Sequence, residues 1–151
     1  MFKAIPVQHS IRAPAVGYRV CANGASFFYL PDVARLPNPI RTLRGIDVYI
    51  GDGATMRRSM VRKKYGTLIG HAPMTAQLDW CELAGVRYAV FTHCGSAIVR
   101  EETRRVNAAV RQVGCDHGID ARLACDGDRL SLTAADGATR RHWMPKWPET
   151  R

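Results

Sequence analysis

Four consecutive residues, Tyr88-Ala-Val-Phe91, form an unbroken apolar run between Arg87 and the polar pair Thr92-His93. A run this short and this rich in β-formers predicts a strand buried on both faces. Such a strand needs a layer packed on either side, which restricts the chain to a sheet covered by helices. Gly95-Ser96 then leads into a predicted long amphipathic helix. A histidine at the tip of a buried strand stands where α/β proteins place chemistry, although it can also do no more than cap the strand end. His9, Asp32 and His71 stand at comparable junctions and favour the chemical reading.

The rest of the chain fits around this strand. Phe2 to Gln8, Val16 to Ala22 and Ala25 to Leu30 are predicted strands, the last two joined by Asn23-Gly24, a strong two-residue hairpin signal. Pro37-Asn-Pro39 opens a helical turn that runs through Leu43 and closes at Gly45, and Ile46 to Ile50 is a second buried-type strand ending in Gly51-Asp52-Gly53. Ala54 to Gly66 reads as a basic loop. A helix is expected from about Thr75, its N-cap, to Gly85, with Met74, Leu78 and Cys81 on one face. Beyond the central strand, Val99, Val106, Val110 and Val113 repeat at helical spacing, with Glu101 and Glu102 in the first turn and Gly114 past the end. Ile119 to Cys125 and Leu130 to Thr133 are expected to close the domain as a hairpin across Asp126-Gly-Asp128. Residues 1–133 thus read as one domain, and 134–151, with Arg140, Arg141 and Lys146, as a basic, loosely ordered tail. The expected fold is α/β (α+β), a mixed sheet covered by helices.

Length supports a single domain of 151 residues. Five cysteines, with no C-x-x-C pair, argue for reduced thiols and a cytoplasmic protein. Neither the first ten residues nor any later stretch has the apolar length of a signal or a membrane span. The formal net charge of +9 suits an anionic partner, such as a phosphate ester or a nucleic acid.

Three histidines and a carboxylate at element ends, His9, His71, His93 and Asp32, would gather on one edge if their strands lie side by side. Neutral imidazoles with a carboxylate are a ligand set for Zn²⁺, and in some sites for Mn²⁺ or Fe. Asp52 is a candidate for orienting a ligand histidine, or else a plain strand-end turn. Cys94 reads as a buried thiol and Cys115-Asp-His117 as a helix-end loop, since neither spacing fits a zinc finger. Arg57, Arg58, Arg62, Lys63 and Lys64 form either a phosphate-gripping patch or a solvated basic loop, with Tyr65 the single interleaved aromatic. Trp80, Trp143 and Trp147 read as packing residues.

Taken in order, these pieces resemble the C-terminal half of the metallo-β-lactamase-fold hydrolases, in particular their phosphodiesterase-like branches. His9-Ser10 followed by Pro14-Ala-Val-Gly-Tyr-Arg19 looks like the family's third histidine motif. Phe28-Tyr-Leu-Pro-Asp32 is similar to the strand ending in the aspartate that bridges two metals. Gly70-His71, a helix, Ala84-Gly-Val86 and then Phe91-Thr-His93 resemble the approach to the last metal histidine. The resemblance implies that His9 and His93 each ligate one of two metals, that Asp32 lies between them, and that His71 protonates a leaving group or orients a phosphate. It also implies an αββα sandwich, of which this sequence reads as one half.

One departure accompanies the match: the family's main metal motif, H-x-H-x-D-H, occurs nowhere in the sequence. The expectation is therefore a metal-dependent, phosphodiesterase-like hydrolase present as a truncated half and inactive alone, needing its N-terminal half or a second copy. Its substrate would be an anionic small molecule or a nucleic-acid phosphodiester. The competing expectation is a non-catalytic remnant, a basic module that binds nucleic acid and needs no metal.

Overall fold

The computed structural model describes residues 1–135 and 138–146, and the fold is that of these residues. In chain order the elements are β1 (Phe2–Val7), β2 (Ala15–Ala22), β3 (Ala25–Tyr29), α1 (Pro39–Leu43), β4 (Val48–Asp52), β5 (Arg62–Lys64) and β6 (Thr67–Ile69). They continue with α2 (Met74–Ala84), β7 (Tyr88–Thr92), α3 (Ser96–Val99), α4 (Thr103–Asp116), β8 (Asp120–Leu123), β9 (Arg129–Ala135) and β10 (Ala138–Met144). Six strands make the main sheet in the order β1-β2-β3-β4-β7-β8, and β5 with β6 and β9 with β10 make two separate ribbons.

Strand direction is what positions the site. β1 and β3 both run antiparallel to β2, so they point the same way. β3, β4, β7 and β8 then pair in parallel. The C-terminal ends of β1, β3, β4 and β7 therefore share one edge of the sheet, and the residues at or just past them are His9, Asp32, Asp52–Gly53 and His93. Parallel neighbours require crossovers; α2 returns the chain from β4 to β7, which brings its N-terminus, just after His71, to that same edge.

The two faces of the sheet are covered differently. Ala89 and Phe91 of β7 point into the larger core with Phe28, Tyr49, Leu43, Leu78, Cys81, Val106 and Val110, under α1, α2 and α4. Tyr88 and Val90 point the other way and pack with Val48 against Leu130, Leu132 and Trp143 of the β9–β10 ribbon. Period-2 alternation along β7 thus feeds two cores, which is why its sequence shows no polar face.

Several expectations need correction. β8 joins the main sheet beside β7, and β9 pairs with β10, so the expected closing hairpin between Ile119–Cys125 and Leu130–Thr133 does not form. The physical reason is register: Tyr88 to Phe91 is an apolar strand with an open parallel edge, and β8 fills it across four aligned pairs. Part of the stretch expected as a loosely ordered tail is strand β10, while residues 136–137 and 147–151, Trp147 among them, lie outside the described residues. Ala54 to Gly66 is not all loop, since β5 and β6 form a hairpin over its second half. The helix before Gly85 starts at Met74 behind Pro73, which fixes the entry without a side-chain cap, rather than at Thr75. The expected long helix after Gly95 is broken into α3 and α4 at residues 100–102. Val99 is 69% exposed, Glu101 and Glu102 precede α4, and Gly114 lies inside α4, packed against Ala121. No helix among the described residues is long and apolar enough to cross a membrane.

Candidate metal centre

Four strand ends and the entry to α2 bring His9, Asp32, Asp52, His71 and His93 together. Asp32 Oδ1 lies 3.4 Å from His93 Nδ1, 3.6 Å from His9 Nε2 and 4.0 Å from His71 Nδ1. The rings adjoin as well, with centroids 5.0 Å apart for His9 and His71 and 5.7 Å apart for His71 and His93. Asp32, Asp52, His71 and His93 each offer a ligand atom within 4.8 Å of the others. His9 is tied to this group through Asp32.

Each histidine is held by a different device. The Nδ1 of His9 is 3.0 Å from the Gly70 carbonyl, which can only accept, so Nδ1 carries the proton and Nε2 is the nitrogen turned toward Asp32. Gly70 N–H donates back to the His9 carbonyl at 2.9 Å, which locks the two segments edge to edge. His71 Nδ1 lies 2.7 Å from Asp52 Oδ2. A carboxylate likewise only accepts, so Nδ1 of His71 is protonated and its Nε2 is the nitrogen free for other work. His93 sits at φ 54°, in the left-handed region that few side chains adopt, and its ring is about half exposed. That conformation turns the chain sharply off the end of β7.

Asp52 is the buried foundation of the site. It is fully inaccessible, with Oδ2 accepting from Val33 N–H at 3.0 Å and Oδ1 from Ala54 N–H at 2.9 Å. Those two bonds and His71 satisfy a carboxylate that would otherwise be costly to bury. Gln77, from the first turn of α2, holds the backbone beneath it. Its Oε1 accepts from Asp52 N–H and from Tyr49 Oη–H, each at 2.9 Å, and its Nε2 donates to the carbonyls of Asp52 at 2.8 Å and Ala72 at 2.9 Å. Burial pushes the Tyr49 hydroxyl well above its ordinary pKa, keeping it a donor. A Cβ on Gly51 would run into Tyr49 and Gln77, and one on Gly53 would come within 2.5 Å of the Thr92 carbonyl. Only a glycine on either side of Asp52 allows this close approach.

The donor set fits a divalent ion of the zinc, manganese or iron kind: neutral imidazoles and carboxylates, on an open edge, over a rigid buried support. Ligand atoms about 2.0–2.1 Å from one tetrahedral ion lie about 3.4 Å apart. The separations of Asp32 Oδ1 from His93 and His9 are of that size. The shorter His71–Asp52 distance is instead a direct hydrogen bond.

Sequence reading named the five polar residues but missed Gln77, Tyr49 and the Gly70 carbonyl. Gln77 did carry a signal: it falls at helical spacing on the face of Met74, Leu78 and Cys81, where an amide must be either misplaced or fully bonded. Cys94 is half-buried and burial pushes its thiol pKa up. Trp80 and Trp143 pack against the two cores.

Comparison with known proteins places this architecture. The chain aligns with the metallo-β-lactamase fold protein YhfI from Bacillus subtilis over 93% of its length at 12% identity and a TM-score of 0.59. It aligns with a diphosphatase of the PhnP family over 95% at 19% identity and 0.55. It aligns with Zn²⁺-bound PqqB from Methylobacterium extorquens over 84% at 22% identity and 0.52. These matches show a shared fold, and this chain spans 44–48% of the length of those structures. No curated protein matches it in sequence. The family described as the beta-lactamase superfamily domain matches residues 1–94, the segment that carries His9, Asp32, Asp52, His71 and His93 with the strands that deliver them. By that match, and with the sheet of a metallo-β-lactamase fold beneath it, the chain belongs to the beta-lactamase superfamily domain family.

Proposed function

We propose that this chain provides one side of the metal centre of a phosphodiesterase-like hydrolase, with His9, Asp32 and His93 as ligands and His71 as the proton-handling group. The observation that carries the reading is the convergence of three imidazole nitrogens on one Asp32 oxygen, at 3.4, 3.6 and 4.0 Å. A divalent ion held there would lower the pKa of a water and stabilise the charge that builds on phosphoryl oxygens. The remaining work belongs to the chain itself. Asp52 fixes the His71 tautomer, so that Nε2 can give or accept a proton at the substrate, and the Gly70 carbonyl fixes the His9 tautomer, so that its Nε2 is the nitrogen presented as a ligand. The net charge of +9 favours an anionic substrate, and one protein of similar fold is a diphosphatase.

Two histidines and a carboxylate leave positions on an ion unfilled, and H-x-H-x-D-H occurs nowhere in the sequence. We infer that hydrolysis requires further ligands from polypeptide carrying that motif. The test is to co-express this chain with a segment of a related fold that contains the motif, and to assay an activated phosphodiester. Turnover should appear in the complex, disappear in His93→Ala and disappear on adding a chelator. Robust, chelator-sensitive turnover by this chain alone would overturn the inference about missing ligands. No turnover in a well-formed complex would overturn the hydrolase reading.

A further inference from the structure

The β5–β6 ribbon is a basic arm whose two ends are fastened to the histidines of the site. Met60 N–H donates to the His71 carbonyl at 3.1 Å, and Gly70 N–H donates to the His9 carbonyl at 2.9 Å. Between these anchors, Arg62, Lys63 and Lys64 pair with Ile69, Leu68 and Thr67. The arm turns at Tyr65 and Gly66, both at positive φ. At its root Gly70, at φ 99°, lies so close to the Met60 carbonyl that a Cβ there would collide with it, so the two legs are pinched together. At about 3.3 Å per residue the tip stands roughly 15 Å from the root.

What the arm and the loop that leads into it display has one sign. Arg57, Arg58, Arg62, Lys63 and Lys64 are all exposed, and none of the five enters an ion pair among the described residues. Tyr65 at the tip is 87% exposed, with the Lys64 ammonium 5.5 Å from its ring centroid. A large aromatic left in water at the end of a cationic ribbon has no packing role. A ligand confined to the root of the arm, at His9 and His71, would not reach the tip roughly 15 Å away.

We propose that the β5–β6 arm holds single-stranded nucleic acid, its cations following the phosphates and Tyr65 stacking on an unpaired base, while the chain leads into the site at His9, His71 and His93. The proposal deepens the phosphodiesterase reading and rests on it for the direction in which the strand runs. Stacking on an exposed ring is available to any unpaired base, whereas bases in a duplex are already stacked, and this selects the single strand.

The test uses the full chain and a fluorescein-labelled oligodeoxythymidylate of 20 nucleotides, with anisotropy read across a salt series. Arg62→Ala/Lys63→Ala/Lys64→Ala should weaken binding by about tenfold or more, and should lower the slope of log affinity against log salt by about 2, at roughly 0.7 for each phosphate no longer neutralised. Tyr65→Ala should cost about fivefold or more for the single strand, with little effect on the corresponding duplex. A control that removes the same charge elsewhere, Lys3→Ala/Arg105→Ala/Arg129→Ala at exposed positions, should weaken binding less than threefold. Equal effects in the two triple variants would mean that bulk charge alone binds the strand, and would overturn the proposal. So would unchanged binding in the arm variant, or a neutral Tyr65→Ala. His93→Ala separates this proposal from the hydrolase reading: arm-dependent binding that survives it, with no hydrolysis in any complex, leaves the arm standing and the hydrolase reading refuted. Hydrolysis of a small phosphodiester with arm-independent oligonucleotide binding does the reverse.

Discussion

The carboxylate of Asp52 and Nδ1 of His71 lie 2.7 Å apart across 19 residues of sequence, one fully buried and the other at the rim. The pair links the support of the site to its working surface, because the same carboxylate also accepts the N–H groups of Val33 and Ala54. An amide in place of the carboxylate has one acceptor oxygen and an NH₂ that would face a donor. Asp52→Asn should therefore release the His71 tautomer and, in the hydrolytic complex, lower turnover about 10²–10⁴-fold, the usual worth of a positioned proton-transfer group. The phosphodiester assay of the complex gives the turnover, and ¹⁵N shifts of the His71 ring give the tautomer. Unchanged turnover and an unchanged Nδ1–H signal would refute the role assigned to Asp52.

His9 offers a test that needs no metal. Because its Nδ1 faces the Gly70 carbonyl at 3.0 Å, the neutral ring should be found in the Nδ1–H form, the minority tautomer of free histidine. Long-range ¹H–¹⁵N correlation at a pH where the ring is neutral would show it. A predominant Nε2–H form would mean that the presented nitrogen has been assigned wrongly.

How much of this was legible beforehand differs from layer to layer. The strand ends at His9, Asp32, Asp52 and His93 could be read because each follows a segment with a strand pattern, and the pairing of β1, β3, β4 and β7 in one direction puts such ends on one edge. The Asn23-Gly24 turn was equally plain, and the structure has both residues at positive φ. The partner of β8 was not legible. Asp126-Gly-Asp128 is good turn chemistry, but an open edge of buried β7 outcompeted the local hairpin, a tertiary preference that no window of residues displays. The break at residues 100–102 failed for a related reason. Val99 kept the helical spacing of Val106, Val110 and Val113 yet points to solvent, so periodicity joined two helices that packing separates. Within the site, the hydrogen-bond acceptor of His9 is a backbone carbonyl, which has no residue type to read.

Stability should depend on Gln77 more than on its single amide suggests. Gln77→Leu keeps the volume close but strips partners from Tyr49 Oη–H, Asp52 N–H and the carbonyls of Asp52 and Ala72. Buried groups left unsatisfied cost about 1–3 kcal/mol each and do not add fully. A loss of about 3 kcal/mol is expected, a Tm fall on the order of 6–12 °C for a domain this size. Gly51→Ala should fall in the same range by a different route, because its Cβ collides with the Tyr49 ring and the Gln77 amide. Calorimetry on both variants decides the matter; a Tm within 2 °C of wild type for either, below the roughly 2–4 °C that one kcal/mol gives, would show that the cluster relaxes freely.

Cysteine alkylation should follow exposure. Cys115 is exposed, whereas Cys81 is fully buried and burial pushes its pKa far above the usual thiol range. A raised pKa leaves less thiolate at any working pH, and the thiolate is the reacting species. Iodoacetamide at mildly alkaline pH should label Cys115 early and Cys81 only on unfolding, with Cys94, half-buried and also shifted upward by burial, reacting slowly. Peptide mass spectrometry over time gives the order. Early labelling of Cys81 in the folded protein would mean that the core beneath α2 opens.

Metal binding by this chain alone should be real but weak. The ligand atoms stand at separations suited to an ion, Asp52 ties down Val33 N–H beside Asp32, and Gly70 N–H ties down the His9 carbonyl, so little reorganisation is needed on binding. Against this, the site lies on an open edge: the His93 ring is about half exposed and the Asp32 side chain 41% exposed, so water competes for every open position. Two imidazoles and a carboxylate are fewer protein ligands than a closed structural zinc site uses. Zinc should therefore copurify below one ion per chain and leave on dialysis against a mild chelator, with the fold retained by circular dichroism. Asp32→Ala should abolish the remaining binding, because among the described residues Asp32 is the one group within reach of all three histidines. His117→Ala should leave it intact, although His117 sits 2.9 Å from Glu82 and 3.6 Å from Asp79 in a second cluster able to hold an ion. If His117→Ala removes the zinc and Asp32→Ala does not, the metal belongs to the far side of α2 and the strand-end site is not where this chain binds it.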